Sequence, residues 1–520
     1  EQSKVFGRLG LDLIEVHPSG AATVHASPEQ MERMRARVAE LGQAGVRDQA
    51  RWVTVESFDW LPAELKYDRS WLDEIGSKPV EAHIKLQPLL SMLEADSVIR
   101  AITELLRTHA GCEIRGKATT YLGRLWLEAM LRPAAIKAIA EDFASIQSIH
   151  PPILAFVGGP AADWTSPTGS HRVPVSSTQP LALPCVAVVD TAIPDEHRIL
   201  QSSRRGTIVG RNCLNAANDH HGSCVASRVV FGDLDFTDPI TPHPVASCSF
   251  YEVRVAEGQN SILAESVPNA LATVTSVAPD VRVFNLSFDN RLALADMPAK
   301  YRAEVLKVVE ELDNFIFDQD ALLVIAAGNV PSGVVPNPRY PHHLDDPSWA
   351  LGAFPRCFNA LTCGGLIPRI SAAGLGAVPN APSPFTRLGP GFAKSPKPDF
   401  GAPAGNTDSN YQKKLDLGLG VWGYSASSDP LEIFGTSHAA PLLAREAAFA
   451  LNELQLRACN GETRPFACTA KAVLALTATD LTSSLSKNLQ PLARRAFHYG
   501  RATAQPLRVP TEEATAFFWQ

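Results

Sequence analysis

The sequence predicts an α/β protein in which a parallel β-sheet is sandwiched by helices, preceded by a smaller α/β region. Beyond residue 180, short strands that are apolar on both faces alternate with longer helical segments, which favours a parallel sheet covered by helices. Before residue 157, the order of predicted elements is β-α-β-β-α-β. Between the two regions, the stretch "VGGPAADWTSPTGSHRVPVSSTQP" is rich in Gly, Pro, Ser and Thr, a composition typical of a linker.

These boundaries divide the chain into four parts. Residues 1–80 form an N-terminal module of unknown role, with a β-hairpin in "LDLIEVHPSGAATVHAS" and a helix in "PEQMERMRARVAEL". Residues 81–157 carry the β-α-β-β-α-β pattern of a ferredoxin-like sandwich, and residues 158–180 are the linker. Residues 181–520 hold the parallel sheet, whose strands are predicted in "PCVAVVD", "ASCSFYEVRV", "DVRVFNLSF", "ALLVIAAGN" and "CFNALTCGG".

Composition excludes several classes of function. The net charge is −7 with dispersed basic residues, so neither nucleic acid nor a membrane is expected as a partner. No apolar run reaches a membrane-spanning length, and we expect no secretory signal at the start of the sequence. The nine cysteines are odd in number, have no zinc-like CxxC spacing and often lie in apolar runs, which predicts free thiols and a cytoplasmic location.

Chemistry in an open α/β sheet lies at the carboxyl ends of its strands, so polar residues that end strands are the candidates. Asp190 ends "LPCVAVVD", where a carboxylate after an apolar run needs a partner, although a lone Asp there is more often a turn or cap. His221 opens a helix in "NDHHGSCVASRVV"; a surface capping histidine is the alternative, and His220 is its competitor. We prefer His221 because it directly precedes Gly222 at a tight helix entry.

Two further residues complete the set. Asn329 ends "LLVIAAGN", and its amide could donate to a developing oxyanion, although Asn after Gly is also a common turn. Ser437 begins the helix in "IFGTSHAAPLLAREAAFAL", where free N–H groups could serve an attacking oxygen, although a serine there could simply cap the helix. Each signal is weak alone, but the order Asp, His, Asn, Ser at the ends of strands and starts of helices is specific.

These residues resemble the motifs of the subtilisin-like serine peptidases over about residues 181–505. "VAVVDTAI" resembles the family's Asp motif, "HHGSCVAS" its His motif, "VIAAGN" its oxyanion motif and "FGTSHAAP" its Ser motif. "VFNLSF" is similar to the strand that lines the substrate cleft, "KPDFGAPAG" to a family loop and "HYGRATA" to its terminal segment.

The resemblance implies a serine endopeptidase that requires no cofactor and takes a protein or peptide substrate. Ser437 would attack the scissile carbonyl, His221 would transfer the proton, Asp190 would orient the imidazole, and Asn329 with the Ser437 N–H would bind the oxyanion. Family members often carry calcium, but no run here has a dense spacing of carboxylates, so no metal site is predicted. The residues implied to bind substrate and wall the specificity pocket are Asn285, Ser287, Phe288, Asp289, Ala326, Ala327 and Gly328.

The sequence departs from the family pattern at three positions. Cys224 stands where many members have a second His, Asp289 where many have Gly, and His438 where Met is common. Asp289 should crowd the rim of the pocket and make it more acidic, which hints at basic residues before the cleaved bond. None of the three departures removes a catalytic group.

The N-terminal region could regulate the peptidase. The β-α-β-β-α-β segment resembles, by pattern only, the family's propeptide, which inhibits by placing its tail in the cleft; an unrelated partner-binding domain is the alternative. A regulatory partner such as an ATPase is a further hypothesis. The competing function is a catalytically silent scaffold that binds or signals through the peptidase fold.

Overall fold

The structure is a computed structural model, and two compact units, Glu1–Pro152 and Ile153–Gln520, divide the chain. The described residues are 12–16, 22–25, 29–30, 32–33, 36, 61–88, 90–157, 183–210, 213, 220–236, 244–257, 261–331, 334, 339–413, 418–457 and 465–508. Among them, no helix combines the length and the apolar character needed to cross a membrane.

The first unit begins with the predicted hairpin, in which β1 (Asp12–Val16) pairs antiparallel with β2 (Ala22–His25). In the helix predicted next, the described residues 29, 30, 32, 33 and 36 are helical. The predicted linker, residues 158–180, lies outside the described residues.

The β-α-β-β-α-β order of the sandwich is present. Its four strands form one antiparallel sheet in the order β4-β5-β3-β6, the arrangement of a ferredoxin-like fold. A capping box starts the first of its helices, since Ser91 and Glu94 satisfy each other's backbone N–H groups. The elements are β3 (Val80–Leu86), α3 (Met92–Leu106), β4 (Glu113–Thr119), β5 (Leu125–Leu131), α4 (Pro133–Asp142) and β6 (Ile146–His150).

Two short helices before this sheet join its core. They are α1 (Ala63–Lys66) and α2 (Arg69–Glu74). The buried ammonium of Lys66 donates to the carbonyls of Ala140 and Phe143 at 2.7 and 2.9 Å, which anchors α1 to the end of α4. Residues 61–80 therefore contribute to the sandwich, although the sequence analysis assigned them to the N-terminal module.

The second unit is built on a seven-stranded sheet in the order β17-β16-β15-β13-β8-β10-β9, with every pairing parallel. The five predicted strands are all present, while β9 and β17 at the two edges were not predicted. The strands are β8 (Cys185–Asp190), β9 (Arg204–Val209), β10 (Ser249–Arg254), β13 (Val283–Leu286), β15 (Leu322–Ala326), β16 (Leu361–Leu366) and β17 (Phe400–Pro403).

Helices cover both faces of this sheet, because successive side chains of a strand point to opposite faces. Val283 packs in one core cluster with alanines of the long helix that begins at Thr436, whereas its neighbour Phe284 contacts Phe315 on another helix, with ring centroids 5.4 Å apart. The helices are α5 (His220–Phe231), α6 (Val267–Val277), α7 (Ala299–Gln319), α8 (Thr436–Arg457), α9 (Ala467–Thr477), α10 (Gln490–Ala496) and α11 (Gln505–Arg508).

Two small antiparallel sheets complete the unit. One pairs β18 (Val421–Tyr424) with β19 (Pro430–Ile433). The other has the order β11-β12-β7-β14, from Ala256–Glu257, Ser261–Leu263, Leu154–Val157 and Phe288–Asp289. The strand β7 thus belongs to the second unit, although the sequence analysis assigned residues up to 157 to the sandwich.

Candidate active site

Asp190 and His221 meet at the carboxyl edge of the parallel sheet. Asp190 is the last residue of β8 and His221 lies in the first turn of α5. Asp190 Oδ1 and His221 Nδ1 are 2.7 Å apart, and both side chains are buried. This contact fixes the orientation of the imidazole through its Nδ1.

The residue after Asp190 holds this pair in place. The Thr191 backbone N–H donates to Asp190 Oδ1 at 2.8 Å, and the Thr191 hydroxyl accepts a hydrogen bond from the Gly222 N–H at 2.9 Å. A Cβ on Gly222 would lie 2.4 Å from the Thr191 carbonyl oxygen, so only glycine allows α5 to approach β8 this closely. Of the two adjacent histidines, His220 accepts from the Ala426 N–H at 3.1 Å, while His221 contacts Asp190.

Ser437 lies at the start of α8, next to the substrate-lining strand predicted from the sequence. The Ser287 hydroxyl donates to the Ser437 carbonyl at 2.7 Å and itself accepts from the Asn285 side-chain amide at 2.9 Å. The ring of His438 lies 5.1 Å from the ring of His221, measured between centroids. The start of α8 therefore reaches the same edge of the sheet as Asp190 and His221.

A buried arginine ties α5 to the start of α8. Arg228 donates to the carbonyls of His438 at 2.6 Å and Trp422 at 2.9 Å, and it pairs with Asp233 at 2.8 Å. Burial lowers the pKa of its guanidinium. Burial, together with the nearby charges of His221, Arg228 and Lys413, also lowers the pKa of His438 well below its ordinary value. His438 is therefore neutral beside the Asp190–His221 pair.

Asn329 follows β15 and faces the same helix start. Its Oδ1 accepts from the Thr436 N–H at 2.9 Å, and the Gly328 N–H donates to the Thr436 hydroxyl at 3.0 Å. Since Oδ1 is used by α8, the Nδ2 donor is left for another acceptor. Gly435, with φ of 136°, lies against this amide, where a Cβ would come within 3.1 Å of Nδ2.

The predicted substrate-lining residues lie in two segments, whose strands β13 and β15 are neighbours in the parallel sheet. Residues 285–289 make one wall, and residues 326–328, at the end of β15, make the other. Asp289 joins them, since its carboxylate lies against Gly328. It also lies 3.4 Å from the Arg387 guanidinium. Burial raises the pKa of Asp289 to about 6, opposed by the charge of Arg387 and the amide of Asn290.

The strand β7 lies along this cleft. It pairs antiparallel with β12 on one side and with β14 on the other, so that Phe156 faces both Ser261 and Asp289, and Val157 faces Phe288. Side chains also hold the strand: the Asn290 amide donates to the Leu154 carbonyl at 3.1 Å, and the Arg291 guanidinium lies 4.2 Å from the Phe156 ring centroid. A segment of the chain thus forms the middle strand of a sheet whose outer strand carries predicted substrate-binding residues.

The third departure from the family pattern, Cys224, takes part in packing. It is fully buried in a cluster with Val421, Leu431 and Ile433. The eight cysteines in the described part of the chain form no disulfide bonds.

Sequence reasoning missed several supporting residues. Glu252 is fully buried on β10, where its carboxylate accepts from the Ile193 N–H at 2.8 Å and anchors the loop that follows Asp190. A lone glutamate inside the apolar run "SFYEVRV" was the available signal. Thr191 and Thr436 each stand beside a residue that was predicted, but nothing in the sequence marks Arg387 as a partner of Asp289.

Comparisons with known proteins agree with this architecture. The model of the subtilase family matches residues 184–494. None of the curated proteins matches the chain.

Solved structures also resemble it. A serine-to-alanine mutant of the epidermin leader peptide processing serine protease EpiP from Staphylococcus aureus is 15% identical, with a TM-score of 0.52, covering 84% of this chain and all of that one. The prenylagaramide maturation protease PagA is 19% identical, with a TM-score of 0.40, covering 62% of this chain and 91% of that one. The likeness to EpiP shows the fold, and the family match extends over more than half of the chain. The chain therefore belongs to the subtilase family of serine peptidases.

Proposed function

We propose that the protein is a serine endopeptidase in which Ser437 is the nucleophile, His221 the general base and Asp190 the residue that orients it. The observation that carries the proposal is the 2.7 Å contact between Asp190 and His221, at the edge of the sheet where Ser437 lies in the first turn of α8. The Thr191 N–H also donates to Asp190 Oδ1, which helps to hold the carboxylate in its orientation toward His221.

The proposed reaction follows from the chemistry of these groups. Ser437 Oγ attacks the scissile carbonyl while His221 Nε2 accepts its proton, and the same proton then passes to the leaving amine. Asn329 Nδ2 and the Ser437 backbone N–H would stabilise the oxyanion, since the orientation of the Asn329 amide is set by its bond to Thr436. A water molecule then attacks the acyl-enzyme while His221 accepts its proton, and His221 returns that proton to Ser437 Oγ as the acyl bond breaks.

We further propose that β7 restrains the enzyme by occupying the cleft. A peptide substrate would bind there as an added strand, using the edges of β12 and β14 that β7 pairs with in the structure. Because β7 pairs with both strands, substrate and β7 would compete for the same hydrogen bonds. This arrangement supports regulation by a segment of the chain that precedes the peptidase sheet.

The alternative function is a silent scaffold that only binds peptides. The complete set of Asp190, His221, Asn329 and Ser437 favours the enzyme, because a scaffold has no need of a buried Asp–His pair beside a helix-start serine.

Labelling with a fluorophosphonate probe separates the two functions. We expect the purified protein to be labelled and Ser437→Ala to lose the label, while Ser427→Ala, a change at an exposed serine, retains it. Peptide hydrolysis by Ser437→Ala and His221→Ala should fall by several orders of magnitude, and the double variant should be hardly worse than either single one, because such residues act as a unit. No labelling and no hydrolysis of any peptide would favour the scaffold.

A further inference from the structure

We propose that Asp289 closes the pocket for the side chain that precedes the cleaved bond, so that the enzyme cleaves after Gly, Ala or Ser. This inference rests on the proposed function and names the substrate class of the same site.

The pairing of β7 locates this pocket. The strands β7 and β14 run antiparallel, with Val157 opposite Phe288. A peptide bound in the same register would therefore place its next residue, one past the position of Val157, opposite Ser287. The Ser287 hydroxyl bonds the Ser437 carbonyl at 2.7 Å, so that residue is the one beside the nucleophile. Its side chain would extend between the wall of residues 287–289 and the wall that ends at Gly328.

Asp289 fills that space. Its Oδ2 would lie 2.2 Å from a Cβ on Gly328, and its Oδ1 would lie 2.4 Å from a Cβ on Gly352. One oxygen of the carboxylate thus lies against the backbone of Gly328 and the other against that of Gly352. This leaves no room for an aromatic or long aliphatic side chain.

The charge of Asp289 is already compensated. Arg387 is buried, with its Nε 3.4 Å from Asp289 Oδ2, and its other nitrogens donate to the carbonyls of Ser348, Ala350 and Arg291. A lysine or arginine of the substrate would need to displace this fixed cation and also fit past the carboxylate. A small residue needs neither, and a serine could donate its hydroxyl to a carboxylate oxygen. The basic preference suggested by sequence alone is therefore disfavoured.

The chain's own sequence is compatible with this selectivity. The strand β7 ends at Val157, and the next two residues in the sequence are Gly158 and Gly159. If the chain cleaves itself after β7, mass spectrometry should find a new N-terminus at Gly159.

The direct test is a set of fluorogenic peptides that differ only at the residue before the cleaved bond: Gly, Ala, Ser, Leu, Phe, Lys or Arg. For the unmodified protein we expect kcat/KM for Gly, Ala and Ser to exceed that for the four large residues by at least about tenfold. This profile needs no variant, so it stays informative even if substitutions at position 289 impair folding.

Variants then separate volume from charge. Asp289→Gly should raise the ratio of kcat/KM for Phe to that for Gly by about tenfold or more, whereas the isosteric Asp289→Asn should keep the preference for small residues. Asp318→Asn is the matched control. Asp318 is exposed near the end of α7 and precedes the amino end of β15, whereas the site lies at the carboxyl ends of the strands.

Two results would overturn the inference alone: a preference for Phe or Leu in the unmodified protein, or a preference for Lys or Arg that disappears in Asp289→Asn. If instead no peptide is cleaved and no fluorophosphonate labels Ser437, the proposed function fails and the inference fails with it.

Discussion

The proposal that β7 restrains the enzyme makes a sharp prediction for Ala155→Glu. Ala155 is fully buried and lies opposite Ile262 in the pairing with β12. A glutamate there would bury an unpaired carboxylate away from solvent, at a cost of several kcal/mol. We expect the strand to leave the cleft rather than bury that charge.

The size of the effect follows from what holds the strand. Its backbone hydrogen bonds contribute about 1 kcal/mol each, and Ile153 and Val157, both fully buried, contribute roughly 2 kcal/mol each. Ordering a residue costs about 1 to 2 kcal/mol. With about six backbone hydrogen bonds at about 1 kcal/mol each and five residues ordered at about 1.5 kcal/mol each, these terms leave a net hold of about 2.5 kcal/mol. This corresponds to a roughly 60-fold competition against substrate.

The assay is steady-state hydrolysis of a peptide by the full chain. Because a competing strand raises the apparent KM without changing kcat, we expect KM of Ala155→Glu to fall by roughly 10- to 100-fold at constant kcat. Ala101→Glu, an exposed position on α3, is the matched control and should behave like the unmodified protein. Equal KM values for Ala155→Glu and its control, with both proteins folded by circular dichroism, would refute the reasoning.

Three other predictions concern the site and its supports. Asn329→Ala should lower kcat by roughly 100- to 1000-fold with little change in KM, because the oxyanion donor acts in the transition state; an unchanged kcat would remove Asn329 from the reaction. Arg228→Met should lower the free energy of unfolding by about 3 to 5 kcal/mol, measured by urea denaturation, because Asp233 and the carbonyls of His438 and Trp422 lose their donor; a loss under 1 kcal/mol would contradict this. Burial lowers the pKa of His197 to about 4, so between pH 6.5 and 4 the unfolded state binds the extra proton and stability falls as the pH falls, by up to about 3 kcal/mol. The difference in unfolding free energy between the unmodified protein and His197→Gln should therefore shrink from pH 7 to pH 4, and a constant difference would contradict the assigned shift.

The sequence by itself determined the family architecture and the order of its polar residues. Strands such as "LPCVAVVD" are apolar on both faces, and several such strands alternating with helices favour a covered parallel sheet. Residues that end such strands must gather at one edge, which is why Asp190 and Asn329 could be selected from the sequence. The β-α-β-β-α-β order was also readable, because helix caps and strand breaks are local features.

Tertiary structure alone decided the rest. The sequence preferred His221 over His220 because of Gly222, but only the fold brings the His221 ring to 2.7 Å from Asp190. The boundary at residue 157 could not be placed from local pattern, because β7 finds its partners more than 100 residues away, in β12 and β14. The role of Asp289 depends on Gly328, Gly352 and Arg387, which meet only when distant loops pack together. Local sequence fixes what a segment prefers to form, whereas volume, charge pairing and strand competition depend on contacts between segments that the sequence keeps far apart.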